Sequence, residues 1–258
     1  MPAATLYVFA ISHYCEKARW ALDHLEIPYQ LHHSVPGMNR RIAKQLDTAV
    51  PPRKNIGSLP FLHVEGELIA GSAAIIDWAE LHRAAGTSSL AGADPQQTKA
   101  LEQRLDAAVG VHIRRFYYSA ALLGDSAPVR AIFTNDLPFV ARWSTRLAWS
   151  KIVPLMIKGM DLGPAQGMES RAIVLAELDW LDALLADGRP YLTGDSLTRA
   201  DITAASLLAP LVNPANHPTY GSLKIPATLE ATISDWRERP VLRWVTEVYA
   251  NHRKPQRA

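Results

Sequence analysis

The 258 residues hold 27 Lys and Arg against 25 Asp and Glu, a formal net charge of +2, with 48% hydrophobic and 20% charged residues. That balance describes an ordinary globular protein and gives no bulk electrostatic case for nucleic acid or a membrane as a partner. A single cysteine excludes an internal disulfide and points to a reducing, cytoplasmic setting, with no signal peptide expected at the N-terminus.

Thr5 to Ala10 reads as a first strand. Glu16 to Leu25 follows with Ala18, Ala21, Leu22 and Leu25 at helical spacing. Pro28 closes that helix, Tyr29 to His33 reads as a second strand, and Arg40 to Leu46 as a short helix. Asp47 to Asn55, with Pro51-Pro52, is a loop. Phe61 to Val64 and Glu67 to Ile69 flank Glu65-Gly66, a hairpin signal, and Ser72 to His82 is helical. A β-α-β half followed by a β-β-α half predicts a mixed sheet with helices on both faces. Residues 85–95 are small and turn-rich and separate a domain over 1–84 from one over 96–258. Beyond them only helices are expected. Gln96 to Leu123 reads as one long helix. Pro128 to Lys158 is helical with interruptions at Pro138 and Pro154, and Met168 to Leu185 carries an amphipathic stripe. Arg199 to Val212 and two shorter helices complete an all-α domain. Ile202 to Val212, the most apolar stretch, is far too short to span a bilayer.

The turn Ser12-His13-Tyr14-Cys15 places a hydroxyl and a thiol where a strand passes into a helix. Unpaired backbone N–H groups and the helix dipole favour an anion there, and a thiolate at such a point has a lowered pKa. Ser12 has two readings, a catalytic hydroxyl and an N-cap. Cys15 is either a small packed thiol or a partner in mixed disulfides. Tyr14 adds a second hydroxyl, and His13 is expected to be a solvated turn histidine. His32 and His33 lie on a strand, point opposite ways and make no metal pair. The sequence contains no metal-ligand cluster and no phosphate loop.

Ser-x-x-Cys followed by Gly57-Ser58-Leu59-Pro60, Gly66-Glu67-Leu68-Ile69, Gly71-Ser72 and, far downstream, Thr198-Arg199-Ala200-Asp201-Ile202 resembles the cytosolic-type glutathione S-transferases of the serine type. The resemblance runs from residue 5 to about 210. It implies a thioredoxin-like α/β N-terminal domain followed by an all-α C-terminal domain. It also implies glutathione as co-substrate, attack of its thiolate on small electrophilic or apolar molecules, a homodimer and a role in detoxification. Under it, Ser12 donates a hydrogen bond to the glutathione thiolate, and Cys15 is the second catalytic candidate. Leu59 offers its backbone beside a cis Pro60, and Ser72 binds the γ-glutamyl carboxylate. Arg53 and Lys54 lie where a cation serves the glycyl end. Tyr14, Arg114 and Tyr118 are the acceptor contacts, the last two on the long helix. Thr198 to Asp201 forms a capping box with a Leu197–Ile202 staple. The family pattern puts Glu, Asp or Gln before its serine to bind the γ-glutamyl amine. Gly71 stands there in this chain, so weaker glutathione binding is expected. Two alternatives keep the same fold: a non-catalytic carrier or adaptor, and a glutathione-dependent thiol or peroxide reductase working through Cys15.

Overall fold

The structure is a computed structural model that describes residues 4–49, 56–220 and 225–254. The chain divides into two compact units, one of residues 1–90 with 133–147, the other of 91–132 with 148–258.

The first unit is built on β1 (Ala4–Val8), β2 (Tyr29–His33), β3 (Phe61–Val64) and β4 (Glu67–Ala70), in the spatial order β2-β1-β3-β4. β1 and β2 are parallel, joined through helix α1 (His13–His24); β3 pairs antiparallel with both β1 and β4. Side chains alternate across the pleat. Tyr7, Phe61 and Leu68 therefore meet Ala43 of α2 (Met38–Leu46) on one face. The fully buried Leu6 and Leu62 occupy the other, where α1 packs against α3 (Ser72–His82). This is the mixed sheet the sequence predicts. Asn39 of α2 donates to the Gly57 carbonyl at 2.5 Å, and a Cβ on Gly57 would lie 2.7 Å from the Arg40 Cα. Only glycine lets the loop approach α2 so closely.

The second unit begins with α4 (Pro95–Arg104). Asp94 caps it, its side chain accepting from Gln96 and Gln97 N–H. The rod continues without a break through a π-helical segment, Leu105–Gly110, into α5 (Val111–Leu123). Next come α6 (Ala127–Asn135), α7 (Phe139–Leu147) and α8 (Trp149–Met160), followed by α9 (Pro164–Leu184), α10 (Arg199–Val212), α11 (Ala227–Arg237) and α12 (Pro240–His252). α7 belongs to the first unit. Helix α10 is buried from Arg199 to Leu211 and organises its unit. Its start is the expected capping box: the Asp201 carboxylate accepts from Thr198 N–H at 2.7 Å and the Thr198 hydroxyl at 2.6 Å. Arg199 pairs with Glu102 of α4 at 2.6 Å with both side chains buried. Among the described residues of 96–252 the non-helical pairing is one bridge, Tyr191 with Gly194, and no strand.

Three expectations need correction. Helix α1 begins at His13 and not Glu16, because Ser12 caps it. His13 is consequently buried, not solvated, with its ring 4.7 Å from that of Tyr14. Pro154 sits inside α8 and does not interrupt it. Ser150, whose carbonyl loses its usual donor to the proline, is exposed, as is Pro154, so that carbonyl stays on the solvent side.

Candidate functional site

The sheet register gathers the candidate residues of the first unit. Tyr7 near the end of β1 pairs with Phe61 at the start of β3, and Phe61 pairs with Ala70 at the end of β4. The turn after β1, the residues before β3 and the residues after β4 therefore emerge at one end of the sheet. These are Ser12 to Cys15, Leu59-Pro60 and Gly71-Ser72. The Leu59-Pro60 bond is cis. Its proline carbonyl accepts from Gly71 N–H at 3.0 Å, which ties two of the three segments together directly.

Ser12 is the N-cap of α1, in extended conformation, held by its own N–H donating to the Phe9 carbonyl at 3.0 Å. The Cys15 N–H is shared. It reaches the Ser12 carbonyl at 2.9 Å and the Ser12 Oγ at 3.4 Å, so the side chain is lightly engaged as an acceptor. A hydroxyl has one donor and two acceptor lone pairs, so capping the helix leaves its proton available. Capping and donation to a sulfur anion are compatible on this one side chain.

Cys15 lies in the first turn of the helix at 1% exposure. Burial pushes its thiol up to about 11, against a partial opposing pull from the Ser12 hydroxyl, the Phe9 backbone and Arg19. Loss of hydration costs the thiolate more than the helix start returns. At neutral pH this sulfur is a packed thiol.

The second helix start is that of α3. Gly71 is its N-cap at φ 94°, ψ 145°, and Ser72 is buried at 6% exposure. The first turn of α3 carries no acidic residue, so nothing in it offsets the positive end of the helix dipole. The φ of Gly71 lies in a region that L side chains rarely adopt, while its open flank would meet no atom within 4 Å of an added Cβ. Glycine is there for its backbone. A sequence pattern that compares side chains alone could not see this.

Leu59 is half-buried and packs against the Ala43, Ile56, Phe61 and Leu68 cluster, which leaves its backbone at the sheet end. Tyr14 is half-buried on the first turn of α1. Arg53 and Lys54 fall outside the described residues. Arg114 and Tyr118 lie on α5 in the other unit. Tyr118 is buried and Arg114 half-buried, with the Arg114 Nε shielded and finding no hydrogen-bond acceptor among the described residues. Its neighbour Arg115 is committed elsewhere, to Asp161 at 2.5 Å and Glu169 at 3.0 Å. Among the described residues no group of His, Cys, Asp and Glu could hold a metal ion. No helix there is long and apolar enough to cross a membrane.

Residues 6–87 match the family model described as the glutathione S-transferase N-terminal domain, and residues 165–247 match that of the C-terminal domain. No curated protein matches by sequence. Among solved structures, the chain is similar to a glutathione S-transferase from Xanthobacter autotrophicus Py2, with TM-score 0.60, 18% identity and 98% of each chain covered. It is also similar to the β-etherase LigF from Sphingobium sp. strain SYK-6, with TM-score 0.56, 17% identity, 95% of this chain and 99% of that one covered. A theta class glutathione S-transferase from Xanthomonas axonopodis pv. citri, solved with glutathione bound, gives TM-score 0.55 at 17% identity over 94% and 96%. At these identities the likeness is one of fold.

Proposed function

We propose a glutathione-dependent transferase activity for this chain, which belongs to the glutathione S-transferase family. The observation that carries the proposal is the pairing of two helix starts at one sheet end, each with a serine, one with a donor to spare and one with an unopposed dipole. Glutathione has two anionic groups suited to them. Its thiolate would accept from Ser12 at the start of α1, and its γ-glutamyl carboxylate would sit at Ser72 and the first turn of α3. The backbone of Leu59 would pair with the cysteinyl unit as an added strand does.

The chemistry asked of Ser12 is modest. A free thiol of pKa about 8.5 is only a few per cent ionised at neutral pH, and lowering it by about two units takes roughly 2.7 kcal/mol. A charge-assisted hydrogen bond together with a helix N-terminus is of that size. The thiolate then attacks an electrophilic carbon of the acceptor, forming the C–S bond as the leaving group departs or the double bond takes up the electron pair. Arg114 and Tyr118 are the proposed acceptor contacts for a small electrophilic or apolar molecule. A homodimer and a cytoplasmic setting belong to the same reading.

Titration calorimetry with glutathione, followed by thiolate absorbance of the bound tripeptide across pH, tests the proposal. Binding with a depressed thiol pKa that depends on Ser12 supports it. Binding without a depressed pKa favours the carrier reading, and no binding at millimolar glutathione refutes both. The reductase reading would need a thiolate at Cys15, which burial opposes.

A further inference from the structure

Helix α7 turns its apolar side outward. Its buried residue is Thr145, at 2% exposure, whereas Phe139, Val140, Trp143 and Leu147 are 73%, 78%, 53% and 78% exposed. At about 100° per residue those four share one arc of about 100°. Phe139 and Trp143 meet edge to face, ring centroids 6.4 Å apart, so the outward surface is a continuous apolar strip. The helix lies between the two family matches, so the transferase reading does not account for it.

Two exposed charges of opposite sign stand at the ends of this strip, in the same compact unit as α7. Asp136, in the turn before the helix, has one carboxylate oxygen 3.9 Å from His33 Nδ1 and its side chain 48% exposed. Arg146, in the last turn, borders the apolar arc on the Phe139 side, its Nε donating weakly to the Thr134 hydroxyl at 3.4 Å. The other cation of α7, Arg142, is turned inward, donating to the Asn135 carbonyl at 2.5 Å and the Leu137 carbonyl at 3.4 Å. The strip is thus acidic at its N-terminal end and basic at its C-terminal end. Its aromatic pair and its charged pair also share a centre. Ala141 lies midway between Phe139 and Trp143, and midway between Asp136 and Arg146.

We propose that α7 docks antiparallel on α7 of a second copy of this chain, about a two-fold axis at the level of Ala141. In that register Phe139 lies against Trp143 of the second copy and Asp136 faces Arg146 of the second copy, each pair occurring twice. A two-fold contact needs a surface that is its own complement, and one register satisfies the rings and the charges together. The opposed helices also set each dipole end against its opposite. The four exposed apolar side chains offer roughly 500 Å² per copy, so the contact buries about 1,000 Å² in all, the size at which a specific interface begins. An anionic bilayer would gain from Arg146 and lose from Asp136, whereas a second copy uses both. The contact goes beyond the proposed transferase reading, which expects a homodimer without naming a face for it, and it does not depend on glutathione.

The test is sedimentation velocity of the full chain across a concentration series, with a thermal melt to confirm that each variant is folded. Wild type should sediment as an associated species. Asp136→Arg and Arg146→Asp each set like charges face to face at both ends of the contact. Each variant alone should therefore associate on the order of 100-fold more weakly and sediment at half the wild-type mass. Mixed one to one, the two variants should regain the wild-type mass, because every facing pair in the mixed species is again of opposite sign. Phe139→Ser with Trp143→Ser should weaken association on the order of 100-fold as well, and it stands as the independent probe if a charge variant fails to fold. Glutathione affinity should be the same in all of these proteins; a wild type that binds none would refute the transferase reading and leave sedimentation to decide the contact. Wild type sedimenting as a single chain at about 100 µM would overturn the proposal. So would charge variants or a double serine variant that keep the wild-type mass, or a mixture that stays dissociated. Single-chain wild type that floats with vesicles containing phosphatidylglycerol, through Phe139 and Trp143, would assign the strip to a bilayer instead.

Discussion

Replacing Gly71 separates what the backbone needs from what the ligand needs. At φ 94° and ψ 145° a residue with a Cβ is strained by about 1–3 kcal/mol, and the open space around the position neither adds a clash nor relieves the strain. Gly71→Ala should therefore lower stability by about 2 kcal/mol. For a chain of this size that is a fall of about 4–8 °C in the thermal midpoint. Gly71→Glu carries the same backbone cost in the free and the glutathione-bound protein, so the cost cancels from the affinity. What remains is a carboxylate placed for the γ-glutamyl amine, worth about 1 kcal/mol, or roughly fivefold tighter binding. The two variants should thus lose similar stability while only the glutamate gains affinity. Thermal unfolding and calorimetric titration with glutathione read the two effects independently. A Gly71→Ala protein as stable as wild type would refute the backbone argument. A folded Gly71→Glu protein that binds glutathione no better would refute the placement of the amine.

Ser12→Ala should cost only about 0.5 kcal/mol as a lost cap, because the Cys15 N–H keeps its bond to the Ser12 carbonyl. Its larger effect is on chemistry. Removing a donor destabilises the thiolate, raises the bound thiol pKa and moves the half-maximal conjugation rate about 1–2 pH units upward, measured with a reactive aryl halide. Cys15, with its thiol pushed up to about 11, should react with iodoacetamide at pH 8 about 100-fold more slowly than an ordinary thiol. The rate should climb as pH rises; rapid alkylation of folded protein would contradict the buried-thiol reading. Glu102→Ala should cost about 3–5 kcal/mol by stranding the Arg199 charge in the helical unit. Glu102→Leu with Arg199→Met should recover most of that loss in the same thermal melt.

The fold was legible where periodicity and punctuation agree. Tyr29 to His33, Ser72 to His82 and Arg199 to Val212 occupy in the structure the spans their patterns predict. Helix α1 starts three residues before Glu16, the first charged residue of its pattern, because the helix follows its cap, Ser12. The same shift takes His13 out of the turn and buries it. Pro154 looked like a stop because sequence alone does not show whether the carbonyl it orphans faces water. At the site, Ser12, Pro60 and Ser72 could be named from motif order, and register explains why they meet. The reason for Gly71 was illegible, since a backbone angle leaves no trace in composition.

The π-helical segment Leu105–Gly110 has a consequence for how this family member can change over time. A π turn is one residue longer than the α turn it replaces, so it rotates everything after it by about 100° relative to an uninterrupted helix. Loss of a single codon within it would let α4 and α5 run as one regular helix. Arg114 and Tyr118 would swing away, and a different set of α5 side chains would take their places. One deletion there could replace several side chains presented by α5 at once, a step that point substitution would need many generations to assemble.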